Sequence, residues 1–354
     1  MGWMDFRSLF LRKTSHDPIE GEATLKRSLS AVDLTLLGIG AIIGAGLFSS
    51  IKEMIVGRFD AEGHLVMHGA GPAVVLSYVL TAVACGLAAL CYAEVATMVP
   101  VSGSAYSYAY AAFGELVAWI IGWDLILEYG VASAAVASGW SGYFRVMLEG
   151  VGLPLPVALS HAPGSVAGAI VNLPAIGILF AVTVLLVIGI RESATTNSLI
   201  VALKLVVIVF VIAAGAGYVN PANWNPFAPY GWSGIMRGGA VVFFAYIGFD
   251  AVTTAAEESR RPERDMPIGI LGSLAICTLL YLAVSAVLTG MVPIGEIDKT
   301  APLASAFRAR GQNFAGGLIS VGAIVGLTSV LLVLLLGQSR IFFAMSRDRL
   351  LPQF

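Results

Sequence analysis

The chain has 354 residues, 58% of them hydrophobic and 12% charged, with a mean hydropathy of +0.86 and a net charge of −2. A soluble domain carries about 25% charge, so this composition belongs to a multi-pass membrane protein. The near-neutral balance, and the lack of a basic run interleaved with aromatics, exclude a nucleic-acid partner.

Residues 1–30 have no uninterrupted apolar core followed by a small-residue cleavage site, which argues against a removed signal peptide. Phe6 stands where the myristoylation pattern needs Ser or Thr. The segment reads as a cytoplasmic N-terminal stretch. About 20 apolar residues cross a bilayer, and eight stretches qualify: 32–55, 72–99, 114–148, 173–190, 194–218, 233–257, 267–292 and 313–346. The third and eighth exceed what one crossing needs, which predicts tilt or extension beyond the lipid.

Lys and Arg placement sets orientation. With the N-terminus inside, twelve of the twenty basic residues fall on the cytoplasmic side, including Arg191, Arg260, Arg261 and Arg264, and seven fall opposite. Lys204 lies within a span. Connectors are short and turn-like: PVSGS (100–104), NPANWNPFAPYG (220–231) and SRRPERDMP (259–267). GRFDAEGHLVMHGAG (57–71) reads as a polar external loop, and Tyr106, Tyr108 and Tyr110 as an interfacial stretch.

Glycine is unusually dense in GIGAIIGAGLF (38–48) of the first span. In lipid, irregular backbone survives only where protein or a water-filled cavity covers it. A second weak point lies in the sixth span, FFAYIGFDAV (243–252), around Ile247-Gly248-Phe249-Asp250. Two interruptions five spans apart fit an inverted repeat in which a discontinuous helix opens each half. The half-helix after a break offers amides to a carboxylate, and the one before it offers carbonyls to an ammonium. Close packing through the Gly40/Gly44 G-x-x-x-G spacing is the competing reading of the first site. Phe243, Phe244, Tyr246 and Phe249 surround the second break and read either as a gate or as lipid-facing packing.

Lys204 lies thirteen residues past Arg191, about 20 Å into a bilayer core of about 30 Å. A lysine at that depth costs at least about 2.5 kcal/mol on insertion scales. It is expected to face the bundle interior and a partner, either as a structural counter-ion or as a titratable group whose protonation follows cavity exposure. Asp124 and Glu128 share one helix face of the third span, Glu128 being the better candidate for the cavity. Asp250 follows the second break, where it would bond freed backbone, sense an amine or cap the new half-helix. Cys85, Cys91 and Cys277 read as small residues packed between helices, and His16, His64, His68 and His161 as solvated connector residues. No metal-ligand spacing, nucleophile motif or cofactor motif is present, so no enzyme activity, metal or cofactor is expected.

LGIGAIIGAGLF, YAEVATMVPVSGSAYSYAY, WDLILEY, VALKLVVIV, FFAYIGFDAV with AEESRRPERDMPIGI, and GQSRIFFAMSRDRLLPQF occur in order from about residue 28 onward. Taken together they resemble the cationic amino acid transporter family of the amino acid–polyamine–organocation superfamily. The resemblance implies an all-α polytopic fold, an inverted five-plus-five repeat with broken helices 1 and 6. It divides the chain into 1–30, a cytoplasmic segment, 31–218, a first repeat of spans 1–5, and 219–354, a partial second repeat of spans 6–8. The activity implied is secondary active transport of amino acids by alternating access, in the cell membrane, with the lipid bilayer around it.

Carried over by resemblance, Ile43, Gly44, Ala45 and Gly46 contact the substrate carboxylate. Main-chain carbonyls near Phe243, Ala245 and Ile247 take the amine, with Tyr246, Gly248 and Asp250 beside them. Lys204 matches a fifth-span lysine that stands where sodium-coupled relatives hold an ion, which implies proton coupling, with Glu128 as a second proton-coupling residue. The family fold needs ten core spans, so eight lead to the expectation of a truncated chain. Arg349 stands where the family motif has Gly. The apolar stretch GLTSVLL (326–332) favours small neutral side chains. A non-transporting amino acid sensor or subunit, a sodium-coupled or exchange-type amino acid or polyamine carrier, and a small membrane-protein partner remain open alternatives.

Overall fold

Ser30 starts the first helix by a capping box: its Oγ accepts from Asp33 N–H, while the Asp33 carboxylate accepts from Ser30 N–H at 2.9 Å and Ser30 Oγ at 2.7 Å. The computed structural model describes residues 27–59, 64–98, 104–188, 194–298 and 301–351, with main chain only for 194–197 and no side chain for Glu257. Most of the expected N-terminal segment 1–30, the PVSGS turn up to Gly103, Arg191, Lys299 and Pro352–Phe354 lie outside the described residues.

The chain runs through α1 (Ala31–Ile42), α2 (Ala45–Phe48), α3 (Ile51–Ile55), a hairpin of β1 (Gly57–Phe59) and β2 (Leu65–His68), then α4 (Val74–Met98), α5 (Ser104–Phe113) and α6 (Glu115–Gly150). There follow α7 (Val157–Ser160), α8 (Leu173–Ile188), α9 (Ala194–Ala216), α10 (Gly231–Tyr246), a 3-10 segment (Asp250–Glu258), α11 (Pro262–Met291), α12 (Pro302–Ala309) and α13 (Asn313–Arg347). Among the described residues six helical stretches are long and apolar enough to cross a membrane: 71–98, 115–150, 198–216, 231–256, 262–291 and 313–347. The shorter apolar helices α1 and α8 stand at the first and fourth expected spans. The protein is therefore an all-α multi-pass membrane protein with one small hairpin, and its boundaries track the apolar stretches closely.

Helices do not gain by hiding apolar area from lipid, so close contact between small residues holds them together. A methyl on Gly269 of α11 would come 2.7 Å from Leu34 of α1, and one on Gly322 of α13 would come 2.5 Å from Val207 of α9. α6 lies along α13, while α1 and α4 lie along α11. Outward faces are apolar: Ile176, Phe180, Val184 and Val187 of α8 are all exposed, as a lipid-facing helix requires.

Four expectations change. The 104–113 stretch is not an interfacial belt but a helix with Tyr106 and Tyr108 buried; Tyr106 OH donates to the Asp348 carboxylate at 2.8 Å, and that bond draws the ring inward. Cys91 is exposed on the outer face of α4, whereas Cys85 and Cys277 are buried. His68 does not lie free in solvent but stacks on Tyr230, centroids 4.1 Å apart. His161 meets the Arg145 guanidinium; burial, then that charge, hold its imidazole below the ordinary value.

α13 closes with a Schellman motif. Leu350 N–H donates to Met345 C=O at 2.9 Å and Arg349 N–H to Ser346 C=O at 3.0 Å. That geometry puts Arg349 at φ +60°, the left-handed region that glycine enters without a Cβ penalty. An Arg349→Gly substitution removes the Cβ penalty and is expected to stabilise by about 1 kcal/mol, read as a raised melting temperature of the detergent-purified protein. Gly248 at φ +108° is the converse case: a Cβ there would also lie 3.1 Å from the Ala41 backbone. Gly248→Ala is expected to cost about 1–3 kcal/mol in the same measurement.

Candidate functional site

Two apolar helices are interrupted where they meet. α1 ends at Ile42; Ile43 (φ −76°, ψ 91°) and Gly44 (φ −137°, ψ −139°) leave the helix, and α2 resumes for one turn. α10 ends at Tyr246; Ile247 turns extended at ψ 135°, Gly248 takes φ +108°, and the 3-10 segment follows. The breaks touch each other. Gly46 lies against Ala245 so closely that any Cβ would strike the Ala245 backbone, and Gly248 lies on Ala41.

Each break releases carbonyls that lipid cannot satisfy, and two side chains from other helices supply donors. The Lys204 ammonium of α9 donates to Gly40 C=O and Ile43 C=O, both at 2.9 Å. Lys204 is 1% exposed, and its alkyl stem runs along Gly326 of α13. The Tyr281 hydroxyl of α11 lies 2.8 Å from Ile42 C=O and 2.9 Å from Ala245 C=O. It thus bridges the end of α1 and the end of α10. One hydroxyl carries one proton, so it donates to a single carbonyl at a time.

A small cavity lies between the breaks. Its walls are Ala41, Ile42, Gly44, Ala45 and Gly46 from the first break and Phe244 and Ile247 from the second. Ala132 and Val136 of α6 and Val330 and Leu334 of α13 complete it. Among the described residues every lining residue is apolar or glycine, so the polar groups they offer are main chain.

The structure brings Gly44, Ala45, Gly46 and Ile247 of the expected site into this cavity, with Ile43, Ala245 and Gly248 in the adjoining main chain. Phe243 is 52% exposed on the outer face of α10. Tyr246 is buried among Tyr78 and Tyr281, and its hydroxyl reaches Thr278 Oγ1 at 3.1 Å. The Asp250 carboxylate is buried away from the cavity lining; it accepts from Tyr129 OH at 2.7 Å and Ser104 Oγ at 3.3 Å. Glu128 is half-buried on α6, outside the lining, and Asp124 one turn away is exposed. Sequence reasoning missed Tyr281, Tyr129, Ala132, Val136 and Leu334. A lone tyrosine or valine in an apolar helix carries no local signal of what it faces.

A sequence-family description of amino acid permeases matches residues 29–354. The chain belongs to the amino acid permease family. This permease chain is 51% identical over 329 residues to the methylthioribose transporter of Bacillus subtilis (strain 168), covering 93% of itself and 69% of that protein. It is 50% identical over 353 residues to the branched-chain amino acid permease BcaP of the same organism, covering 98% of itself and 73% of that protein. It is 41% identical over 360 residues to the chloroplastic cationic amino acid transporter 9 of Arabidopsis thaliana, covering 98% of itself and 61% of that protein. Family membership makes it a transporter chain and not an enzyme.

The Tyr281 hydroxyl is a donor that the breaks need. Tyr281→Phe keeps the ring and leaves the carbonyls of Ile42 and Ala245 without it, which is expected to cost about 1–3 kcal/mol. A lowered melting temperature, with an unchanged elution volume on size exclusion, checks this.

Proposed function

We propose that this permease chain carries zwitterionic amino acids with apolar side chains across the cell membrane by alternating access, coupled to protons. The observation that supports the substrate class best is the cavity between the two main-chain breaks, walled by Ala132, Val136, Phe244, Ile247, Val330 and Leu334. The ends of an amino acid's backbone match amides at Gly44–Gly46 and carbonyls near Phe243, Ala245 and Ile247. Among the described residues no charged side chain lines the wall to meet a cationic side chain, and burying an unpaired charge there would cost on the order of 2–5 kcal/mol. The name of the branched-chain relative agrees with this reading.

Lys204 supports the coupling. Its ammonium places a positive charge between two carbonyl oxygens released by the first break, both at 2.9 Å. A proton on Lys204 then does the work of a sodium ion: while bound it holds the first break closed, and its loss frees Gly40 and Ile43 C=O. Glu128, on the adjacent α6, is the second group in this reading. Residues 1–30 lie in the cytoplasm, residues 31–218 form a first repeat, and residues 219–354 belong to a second, inverted one.

Uptake into proteoliposomes tests the whole reading. Leucine and alanine are expected to accumulate under an inward proton gradient, while arginine and putrescine neither accumulate nor compete. Lys204→Ala is expected to lower gradient-driven leucine accumulation at least ten-fold, while leucine counterflow persists. Sodium-driven uptake would overturn the coupling, arginine uptake the substrate class, and leucine binding without any flux would favour a sensor.

A further inference from the structure

The residues just before α1 are tied to the far side of the second break. Ser28 N–H and Leu29 N–H both donate to Glu258 C=O, at 2.9 and 3.0 Å. Arg260 N–H returns to Leu29 C=O at 2.9 Å, and Arg260 Nε donates to Ser28 C=O at 2.8 Å. Together they form a parallel bridge between Leu29 and Ser259. Both sides of the bridge are anchored. Ser30, the next residue, caps α1 through Asp33, and Arg261 N–H donates to the Asp265 carboxylate in the first turn of α11 at 3.2 Å. Glu258 also faces the other way: its carboxylate accepts from Arg340 of α13 at 3.3 Å, with both side chains partly exposed.

We propose that residues 28–30 are a strap binding the end of α1 to the 3-10 segment and the start of α11. The Arg340–Glu258 ion pair is then the latch between that unit and α13. The proposal rests on the alternating-access reading above. The two kinds of contact differ in how easily they part. Main-chain hydrogen bonds anchored at two helix starts persist, whereas a single, partly exposed ion pair between two long side chains holds less firmly and is weakened by salt. When this end of the bundle opens, the latch breaks and the strap moves intact. The strap makes the inner halves of both broken helices travel together, so that neither break opens alone.

A chain freed of its own cysteines (Cys85→Ala, Cys91→Ala, Cys277→Ala) carries the test. Leu29→Cys with Ser259→Cys spans the strap, at a bridge spacing that suits a disulfide. Glu258→Cys with Arg340→Cys spans the latch and is joined by a short bismaleimide with a reducible spacer. Closing the strap pair is expected to leave leucine uptake within two-fold of the reduced protein. Joining the latch pair is expected to lower it at least ten-fold, with recovery on reduction. A ten-fold loss from the strap disulfide, or no loss from the latch cross-link, overturns the proposal.

Uptake by the unmodified cysteine-free chain reports on transport separately. Amide exchange tests the strap without needing flux: Ser28, Leu29 and Arg260 are expected to exchange at least ten-fold slower than free chain, with and without leucine. Free-chain exchange in either condition overturns the strap even if transport holds.

Discussion

A carbonyl released inside a membrane must find a donor within the protein, and the core of this permease is arranged around that demand. Two helices stop short, at Ile42 and at Tyr246, and the oxygens left behind are met by Lys204 and Tyr281 from helices that do not themselves break. Each donor is costly to bury: one is an ammonium at 1% exposure and the other a fully buried phenol. Neither has a purely structural explanation as economical as a pair of unbroken helices would have been. The residues around both interruptions line one small cavity.

The small residues divide between two tasks. Gly46 and Gly269 let neighbouring backbones or side chains approach to distances that any Cβ would forbid. Gly248 supplies a backbone conformation that L-residues avoid. In the first span Gly44 leaves the helix while Gly46 packs against Ala245, so packing and interruption occur two residues apart. Packing brings the breaks together, and interruption gives them something to present.

Much of this was legible in the sequence because the bilayer restricts what a chain can do. Apolar length located the spans within a few residues, and glycine density located both breaks. The depth of Lys204 announced that it needed an internal partner. What stayed hidden was the identity of partners across helices. Lys204 was expected to meet a partner, but nothing local says that main-chain oxygens serve. Asp250 sits one residue beyond the break in sequence, yet its carboxylate turns to Tyr129 and Ser104, over a hundred positions away. Tyr106 looked like an interfacial ring until Asp348, at the other end of the chain, drew it inside. The strand-like bridge of Leu29 with Ser259 has no side-chain signature at all, since main chain makes most of it. The left-handed Arg349 was flagged by a missing glycine, and the Schellman geometry supplied the physical reason.

α6 and α13 lie side by side and are the longest helices described, and the apolar wall of the cavity is taken from both. Ala132 is a central residue of α6, and Val330 is the central residue of α13. The cavity between the two breaks therefore lies at the mid-length of both long helices.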